Sequence, residues 1–374
     1  MNSVAILVPF MNEFGKKGFY QSQEFGLANA FYDAGWDVEV FRCIVEESYQ
    51  EGDKYPIHYQ KVRKFGSHAL FDPKKFFPRK FDVIVTFADT QLIIPNLYKY
   101  CKKNGIIFIP YVGTLESISF SEKLKKTVMD FVYKHRTLVC YRKDCDYIFC
   151  KSPDAMDRFV ANGVDRKKLV FSPVGVNLSL LNDAYTEEDV AKLRKENGYG
   201  KDDKVIVFVG RLNNEKRPLD TFKILDMLKD DSYKLIVIGD GFLSGEVEAK
   251  AKEYGNRAMY LKQVPYADMW KYYAMADCFI NLWDEEIFGM AILEAIYYRT
   301  PAFLISAPGP RVIAKNMKNS FICTTIEEIA KRISQYKLDK ESLEEDRQRL
   351  VKEFSWKRFV DNVYTVYGDK LEKR

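Results

Sequence analysis

Lys204-Val-Ile-Val-Phe-Val209-Gly210-Arg211-Leu-Asn-Asn-Glu-Lys216-Arg-Pro218 runs an apolar, β-branched stretch into a glycine and then two cations five residues apart. About 70 residues later, Trp283-Asp-Glu-Glu286-Ile-Phe-Gly-Met-Ala-Ile-Leu-Glu294-Ala295 separates two glutamates by seven residues around a Phe-Gly turn. Each stretch reads as the end of a parallel strand, where α/β sheets bind ligands. An Arg and a Lys there suit a doubly charged pyrophosphate. A fixed carboxylate suits vicinal hydroxyls, which it accepts in pairs.

Outward from these stretches, short apolar runs alternate with helical patterns throughout, predicting parallel sheets covered on both faces. The first half reads as strands near Val4–Phe10, Val38–Phe41, Asp82–Phe87, Ile106–Pro110, Tyr147–Cys150 and Leu169–Ser172. Gln21–Ala34 has a helical apolar face and stops at Gly35, a good C-terminal cap. The pattern restarts with Lys204–Gly210, Tyr233–Gly239, Ala258–Leu261, Cys278–Leu282 and Pro301–Ile305. The polar stretch Asp183–Asp203 places a boundary at about 177–200. A chain of 374 residues also exceeds the roughly 250–300 at which single cores stop growing.

Composition sets further bounds. Hydrophobic residues make up 47% and aromatics 15%, enough for two packed cores. Met1-Asn-Ser-Val-Ala-Ile-Leu-Val-Pro-Phe10 lacks the basic region and cleavage site of a signal peptide and reads as a buried strand. No apolar run reaches the roughly 18 residues that span a bilayer. Seven cysteines without framework spacing read as reduced thiols, and Cys140, Cys145 and Cys150 fit no common zinc pattern. Asp144-Cys-Asp146 mimics a metal-binding Asp-x-Asp, yet it leads into an apolar strand and reads as a helix end and strand start. No metal and no cofactor are expected.

The net charge of +5 hides an asymmetry. Residues 54–143 hold 18 Lys/Arg against 6 Asp/Glu, whereas the rest of the chain holds 40 against 47. The basic stretch interleaves Phe65, Phe71, Phe76, Phe77 and Phe81, and the helix-like run Ser121–Lys143 adds more lysines and arginines. Such a surface predicts peripheral attachment to an anionic membrane face, with the phenylalanines at headgroup level. Nucleic acid is not the expected partner.

Together and in this order, the two opening stretches resemble the donor site of retaining glycosyltransferases of family 4, the glycosyl transferases group 1. Further residues carry the likeness across most of the chain, most strongly over about 146–322. These are Asp146-Tyr-Ile-Phe-Cys-Lys-Ser152, Ser172-Pro-Val-Gly175-Val-Asn177, Val237-Ile-Gly239-Asp-Gly241, Leu261-Lys-Gln-Val-Pro265 and Phe354-Ser-Trp356. The resemblance implies the GT-B arrangement, two Rossmann-like doubly wound domains facing across a cleft. The expected division is 1–177 on the acceptor side, 178–354 on the nucleotide-sugar side, and 355–374 as a helix returning to the first domain.

The resemblance further implies a retaining, metal-independent transfer from a nucleotide diphosphate-sugar to a glycan or lipid-linked acceptor in the cytoplasm. Arg211 and Lys216 would hold the diphosphate and stabilise the leaving group. Glu294 would accept the ribose hydroxyls and Glu286 the sugar hydroxyls, with Glu285 competing if the register moves by one. Phe288-Gly289-Met290 would open a helix whose free N–H groups face sugar and phosphate. Gly18 would let the backbone pass close to donor and acceptor, with Gly15 as the alternative. The backbone of Lys262–Pro265 would recognise the base.

The chain also departs from the family pattern. Phe19 stands for a second glycine, Ile287 replaces the glycine of "EGFG", and Ala307-Pro-Gly309-Pro-Arg311 stands where "GG-x-x-E" is common. Tyr111-Val-Gly113-Thr-Leu-Glu116 carries no histidine where many members do, and His58, His68 and His135 lie at no strand end. Gly113, Thr114 and Glu116 remain candidates for sugar or acceptor contact. Two other classes stay open: a GT-B nucleotide-sugar epimerase, and a nucleotide-sugar-binding subunit without turnover.

Overall fold

A computed structural model describes residues 1–9, 22–52, 54–88, 90–113 and 130–372. Gly18, Gly15, Thr114 and Glu116 lie outside the described residues. The chain divides into two compact units. One gathers the described residues up to Gly175 together with those from Trp356 onward, and Val176–Ser355 belongs to the other.

The first unit is built on an eight-stranded sheet. Its strands are β1 (Ser3–Val8), β2 (Asp37–Ile44), β3 (Tyr49–Glu51), β4 (Ile57–Lys61), β7 (Val83–Phe87), β8 (Ile107–Val112), β9 (Ile148–Cys150) and β10 (Leu169–Phe171). A separate hairpin pairs β5 (Arg63–Phe65) with β6 (His68–Leu70). The sheet order is β10-β9-β8-β7-β1-β2-β4-β3, and only β3 runs antiparallel. Every residue of β1, β7 and β8 is buried, as strands covered on both faces must be.

One face carries the helix Gln23–Asp33, ended before Gly35 at φ +81°, against the final helix Trp356–Glu372. A Cβ on Gly26 would meet the Trp356 indole at 2.2 Å, so glycine is what allows that crossing. Phe359 packs on Phe31, Tyr111 and Phe149 from the same helix. The opposite face is filled by Phe76, Phe77 and Phe81 together with Leu97, Tyr141 and Phe159.

This corrects the reading of the basic stretch. Phe76, Phe77 and Phe81 are core residues, and Phe71 packs partly buried against them. Their burial in place of exposure has a simple cause: each ring gains an aromatic neighbour, as in Phe41–Phe77 at 5.1 Å and Phe71–Phe76 at 4.0 Å. Of the five, only Phe65 is exposed. The described part of the helix-like run is helical over 130–144 and includes two π-type turns.

The second unit holds a six-stranded, all-parallel sheet in the order β13-β12-β11-β14-β15-β16. These are β11 (Lys204–Val209), β12 (Tyr233–Ile238), β13 (Ala258–Leu261), β14 (Cys278–Asn281), β15 (Ala302–Ile305) and β16 (Ser320–Cys323). The chain proceeds outward from β11 on one side and then restarts on the other at β14. That is the Rossmann order, with its topological switch point between β11 and β14. The charged stretch read as a boundary contains a helix, Glu187–Glu196, started by a reciprocal capping box between Thr186 and Asp189.

Candidate functional site

β11 and β14 are neighbours in register, with Val207 opposite Phe279, so the segments that leave their carboxyl ends emerge side by side. From β11 comes Gly210-Arg211, and from β14 comes Leu282–Gly289. The loop after β12 packs on the first of these. Leu212 N–H donates to the Asp240 carbonyl at 2.9 Å, and Leu243 N–H donates back to the Leu212 carbonyl at 2.9 Å. A Cβ on Gly239 would sit 1.8 Å from the Gly210 carbonyl oxygen, and one on Gly241 2.5 Å from that of Leu212. The two glycines of the Gly239-Asp-Gly241 loop are therefore needed for backbone contact with the Arg211 segment.

Arg211 is exposed, and among the described residues nothing engages its guanidinium. Lys216 is held at both ends. Its backbone N–H donates to Asn213 Oδ1 at 3.2 Å, and its ammonium donates to Glu286 Oε2 at 2.5 Å. The same ammonium lies 3.9 Å from the centroid of the Trp283 ring. The lysine side chain is 21% exposed and that of Glu286 10%, so this pair is largely withdrawn from water. The neighbouring Glu285 is exposed; in this register Glu286 is the glutamate that reaches the lysine.

The turn after Glu286 is braced from the helix Pro308–Ala314, which follows β15. Gly309 N–H donates to the Glu286 carbonyl at 2.9 Å. A Cβ on Gly309 would meet Phe288 backbone atoms at 2.3–2.5 Å, so the Ala307-Pro-Gly309 variant of the family pattern still supplies the glycine that close approach demands. Phe288 is buried against Phe354. Gly289, at φ +93°, caps the helix Met290–Tyr297, whose first N–H groups have no intrahelical acceptor.

Glu294, one helical stretch further on, is buried, and among the described residues no cation pairs with it. It accepts from Tyr273 Oη at 2.8 Å and from Tyr266 Oη at 3.1 Å. Burial raises its carboxyl to about 7, against the pull of the two phenols. Both tyrosines are in turn held protonated by burial and by the facing carboxyl. A carboxylate has about four lone-pair sites, and two remain for other donors here.

The sequence-derived residues Arg211, Lys216, Glu286, Phe288, Gly289, Met290 and Glu294 thus all lie on segments that follow β11 and β14. Among them, Lys216 and Glu286 are joined by a side-chain hydrogen bond. Trp283, Tyr266, Tyr273 and Gly309 were not singled out in advance. Trp283 could have been: an aromatic two residues past a strand end, facing a lysine-bearing loop, is a natural cation partner.

Elsewhere, Asp144 is exposed at a helix end and Asp146 pairs with Lys370 at 2.8 Å. All seven cysteines are buried free thiols. His58 bonds Glu39, His68 is buried and His135 is exposed, all in the first unit. Among the described residues no group of three or more potential ligands could hold a metal, and no helix is long and apolar enough to cross a membrane.

Residues 189–354 match the family model of glycosyl transferases group 1. The alpha-monoglucosyldiacylglycerol synthase of Acholeplasma laidlawii is 24% identical over 62% of this chain and 60% of its own. The N-acetyl-alpha-D-glucosaminyl L-malate synthase of Bacillus anthracis is 23% identical over 50% and 51%. The chain therefore spans between half and three-fifths of the length of these curated relatives. Among solved structures, sucrose-phosphate synthase from Thermosynechococcus elongatus superposes with a TM-score of 0.73 at 15% identity, covering 100% of both chains. The Anabaena protein HepE, in complex with UDP and glucose, gives 0.67 at 15% identity over 98% of this chain and 100% of that one. The fold is GT-B, and residues 189–354 are similar to the glycosyl transferases group 1 family.

Proposed function

We propose that the protein transfers a sugar from a nucleotide diphosphate-sugar to a hydroxyl of a glycan or lipid-linked acceptor, with retention of configuration and without a metal. The observation that carries this reading is the convergence of Lys216 and Glu286, 70 residues apart, at the switch point of a Rossmann-ordered sheet. Curated relatives named as synthases of glycolipid and glucosaminyl malate, and a structural neighbour complexed with UDP and glucose, support it.

In this reading Arg211 and Lys216 neutralise the charge that grows on the diphosphate as the bond between the sugar's anomeric carbon and the β-phosphate oxygen breaks. The acceptor oxygen attacks from the face the leaving group departs. Its proton passes to the departing phosphate oxygen, so charges and atoms balance without a side-chain base. Glu286 orients the sugar hydroxyls and Glu294 the ribose hydroxyls. The protein's part is positioning and electrostatics.

The test is a thermal-shift screen with UDP-, GDP-, ADP- and TDP-sugars, followed by incubation with acceptors and determination of the product's anomeric configuration. One donor should stabilise the fold and be consumed in EDTA. An inverted product, or a strict need for Mn²⁺ or Mg²⁺, overturns the mechanism. Binding without any product favours a binding subunit, and a C2-inverted free nucleotide-sugar favours an epimerase.

We also propose peripheral attachment to an anionic cytoplasmic membrane face. Arg63, Lys64, Lys74, Lys75 and Lys80 are exposed, and no carboxylate pairs with any of them among the described residues. Phe65, at the hairpin's end, is the exposed aromatic beside them. Each such cation near the surface contributes about 1 kcal/mol. Co-sedimentation with anionic vesicles at low salt, lost at high salt, is the expected result; equal pelleting with neutral vesicles overturns it.

A further inference from the structure

The Lys216 ammonium has two neighbours on which sequence spacing was silent about one. Glu286 Oε2 lies at 2.5 Å and the Trp283 ring centroid at 3.9 Å. Both come from the segment that leaves β14, while the lysine comes from the segment that leaves β11. The Trp283 backbone N–H donates to Asn281 Oδ1 at 3.3 Å, and Asn281 is the buried last residue of β14. The indole is thus launched from the sheet itself. Lysine is a flexible four-carbon chain ending in a strongly hydrated point charge, so left alone it samples many positions. Tryptophan is the best aromatic partner for such a cation, and the contact strengthens as water is withdrawn.

We propose that Trp283 is a positioning residue of the donor site. Its ring and the Glu286 carboxylate clamp the Lys216 ammonium from two directions and leave its remaining N–H donor capacity for a diphosphate. The role in turnover rests on the donor reading above; the clamp itself does not. Glu286 alone would hold the lysine as a simple ion pair, free to follow any competing anion. With Trp283 the cation keeps an attractive neighbour that no phosphate displaces, because a π face and a phosphate oxygen do not compete for the same N–H in the same way. The consequence is a lysine that shifts its hydrogen bonding from carboxylate to phosphate without moving far.

Two measurements separate the clamp from the function. The first needs no donor. Lys216 is labelled with an amine-reactive acetylating reagent and followed by peptide mass spectrometry in wild type, Trp283→Phe and Trp283→Leu. Labelling should be several-fold faster in Trp283→Leu and intermediate in Trp283→Phe, with other lysines unchanged. Equal rates in all three proteins overturn the clamp. If Trp283→Leu does not fold, Trp283→Phe against wild type decides the same point.

The second is a double-mutant cycle on nucleoside diphosphate affinity and turnover with Lys216→Met. Trp283→Leu should lose about tenfold, and Trp283→Leu/Lys216→Met should be no worse than Lys216→Met alone. Multiplying losses would mean that Trp283 acts independently of the lysine, which overturns the positioning role. Faster labelling in Trp283→Leu with no nucleotide-sugar bound by wild type would instead sink the donor reading and leave the clamp standing.

Discussion

The turn that carries Glu286 and the helix that carries Glu294 hold two buried glutamates eight residues apart in opposite ways. Glu286 faces the Lys216 ammonium at 2.5 Å. Glu294 faces two phenols and is raised to about 7 by burial. The same residue type at almost the same depth therefore meets a cation in one place and is a titrating group near neutrality in the other. Surroundings decide the charge, and the two carboxylates should respond differently to every perturbation.

The largest difference should come from the cation. Lys216→Ala is expected to lower turnover about 10²–10³-fold, or about 2.7–4 kcal/mol, by removing a charge-assisted contact to the leaving group. It also strands Glu286, so Lys216→Ala/Glu286→Gln should recover stability in a denaturant melt while remaining inactive. Wild-type turnover in Lys216→Ala at saturating donor would remove the Glu286 half of the comparison.

Next comes the brace behind Glu286. Gly309→Ala places a methyl within 2.3–2.5 Å of the Phe288 backbone and is expected to cost about 1–3 kcal/mol in an unfolding experiment. Donor affinity should fall with it, since the Glu286 carbonyl loses its anchor. Unchanged stability would show that the turn is looser than the comparison requires.

Glu294 should show its character through pH. Its folded value of about 7 lies above the ordinary 4.5, so the native state keeps a proton that the unfolded chain has released. The stability this contributes is fully present below about 4.5 and is lost as pH rises toward 7. Glu294→Gln should therefore gain thermal stability over wild type more at pH 8 than at pH 5. Affinity for nucleoside diphosphate should rise through about pH 7 in wild type, where a carboxylate becomes available to ribose hydroxyls, and stay flat in the glutamine variant. A parallel pH dependence in both proteins would assign the titration elsewhere. The smallest effect belongs to Glu285, exposed beside the pair: Glu285→Gln should alter stability and turnover by no more than about 0.5 kcal/mol.

Much of this site was legible because its parts obey backbone rules. A strand-ending glycine, a basic residue after it and a Phe-Gly helix start all leave marks in sequence, and so does a glycine pair that lets one loop lie on another. The contact of Lys216 with Glu286 follows from strand adjacency. Tyr266 and Tyr273 left no such mark, because a half-buried tyrosine at the start of a short turn and a buried one on a helix look like any other packed residues until a carboxyl is found opposite them. Phe76, Phe77 and Phe81 misled for the converse reason: among Lys74, Lys75, Arg79 and Lys80, local composition says surface, and only the packing of one ring on another says core. The short strands β3 to β6 and the final strand β16 were not read from the sequence; β3 to β5, rich in polar types, lack the apolar run that marked the equally short β9 and β10.

Gly26 and the indole it admits carry a consequence for the order in which the protein is made. The first unit lacks the helix Trp356–Glu372 until about 180 further residues, the whole span Val176–Ser355, have been synthesised. At ribosomal speeds of about 5–20 residues per second, that is a wait of roughly ten to forty seconds. Phe31, Tyr111 and Phe149 spend it without the Phe359 ring that covers them in the finished fold. These three rings of the first-made half therefore stay without that cover until the helix Trp356–Glu372 has been made.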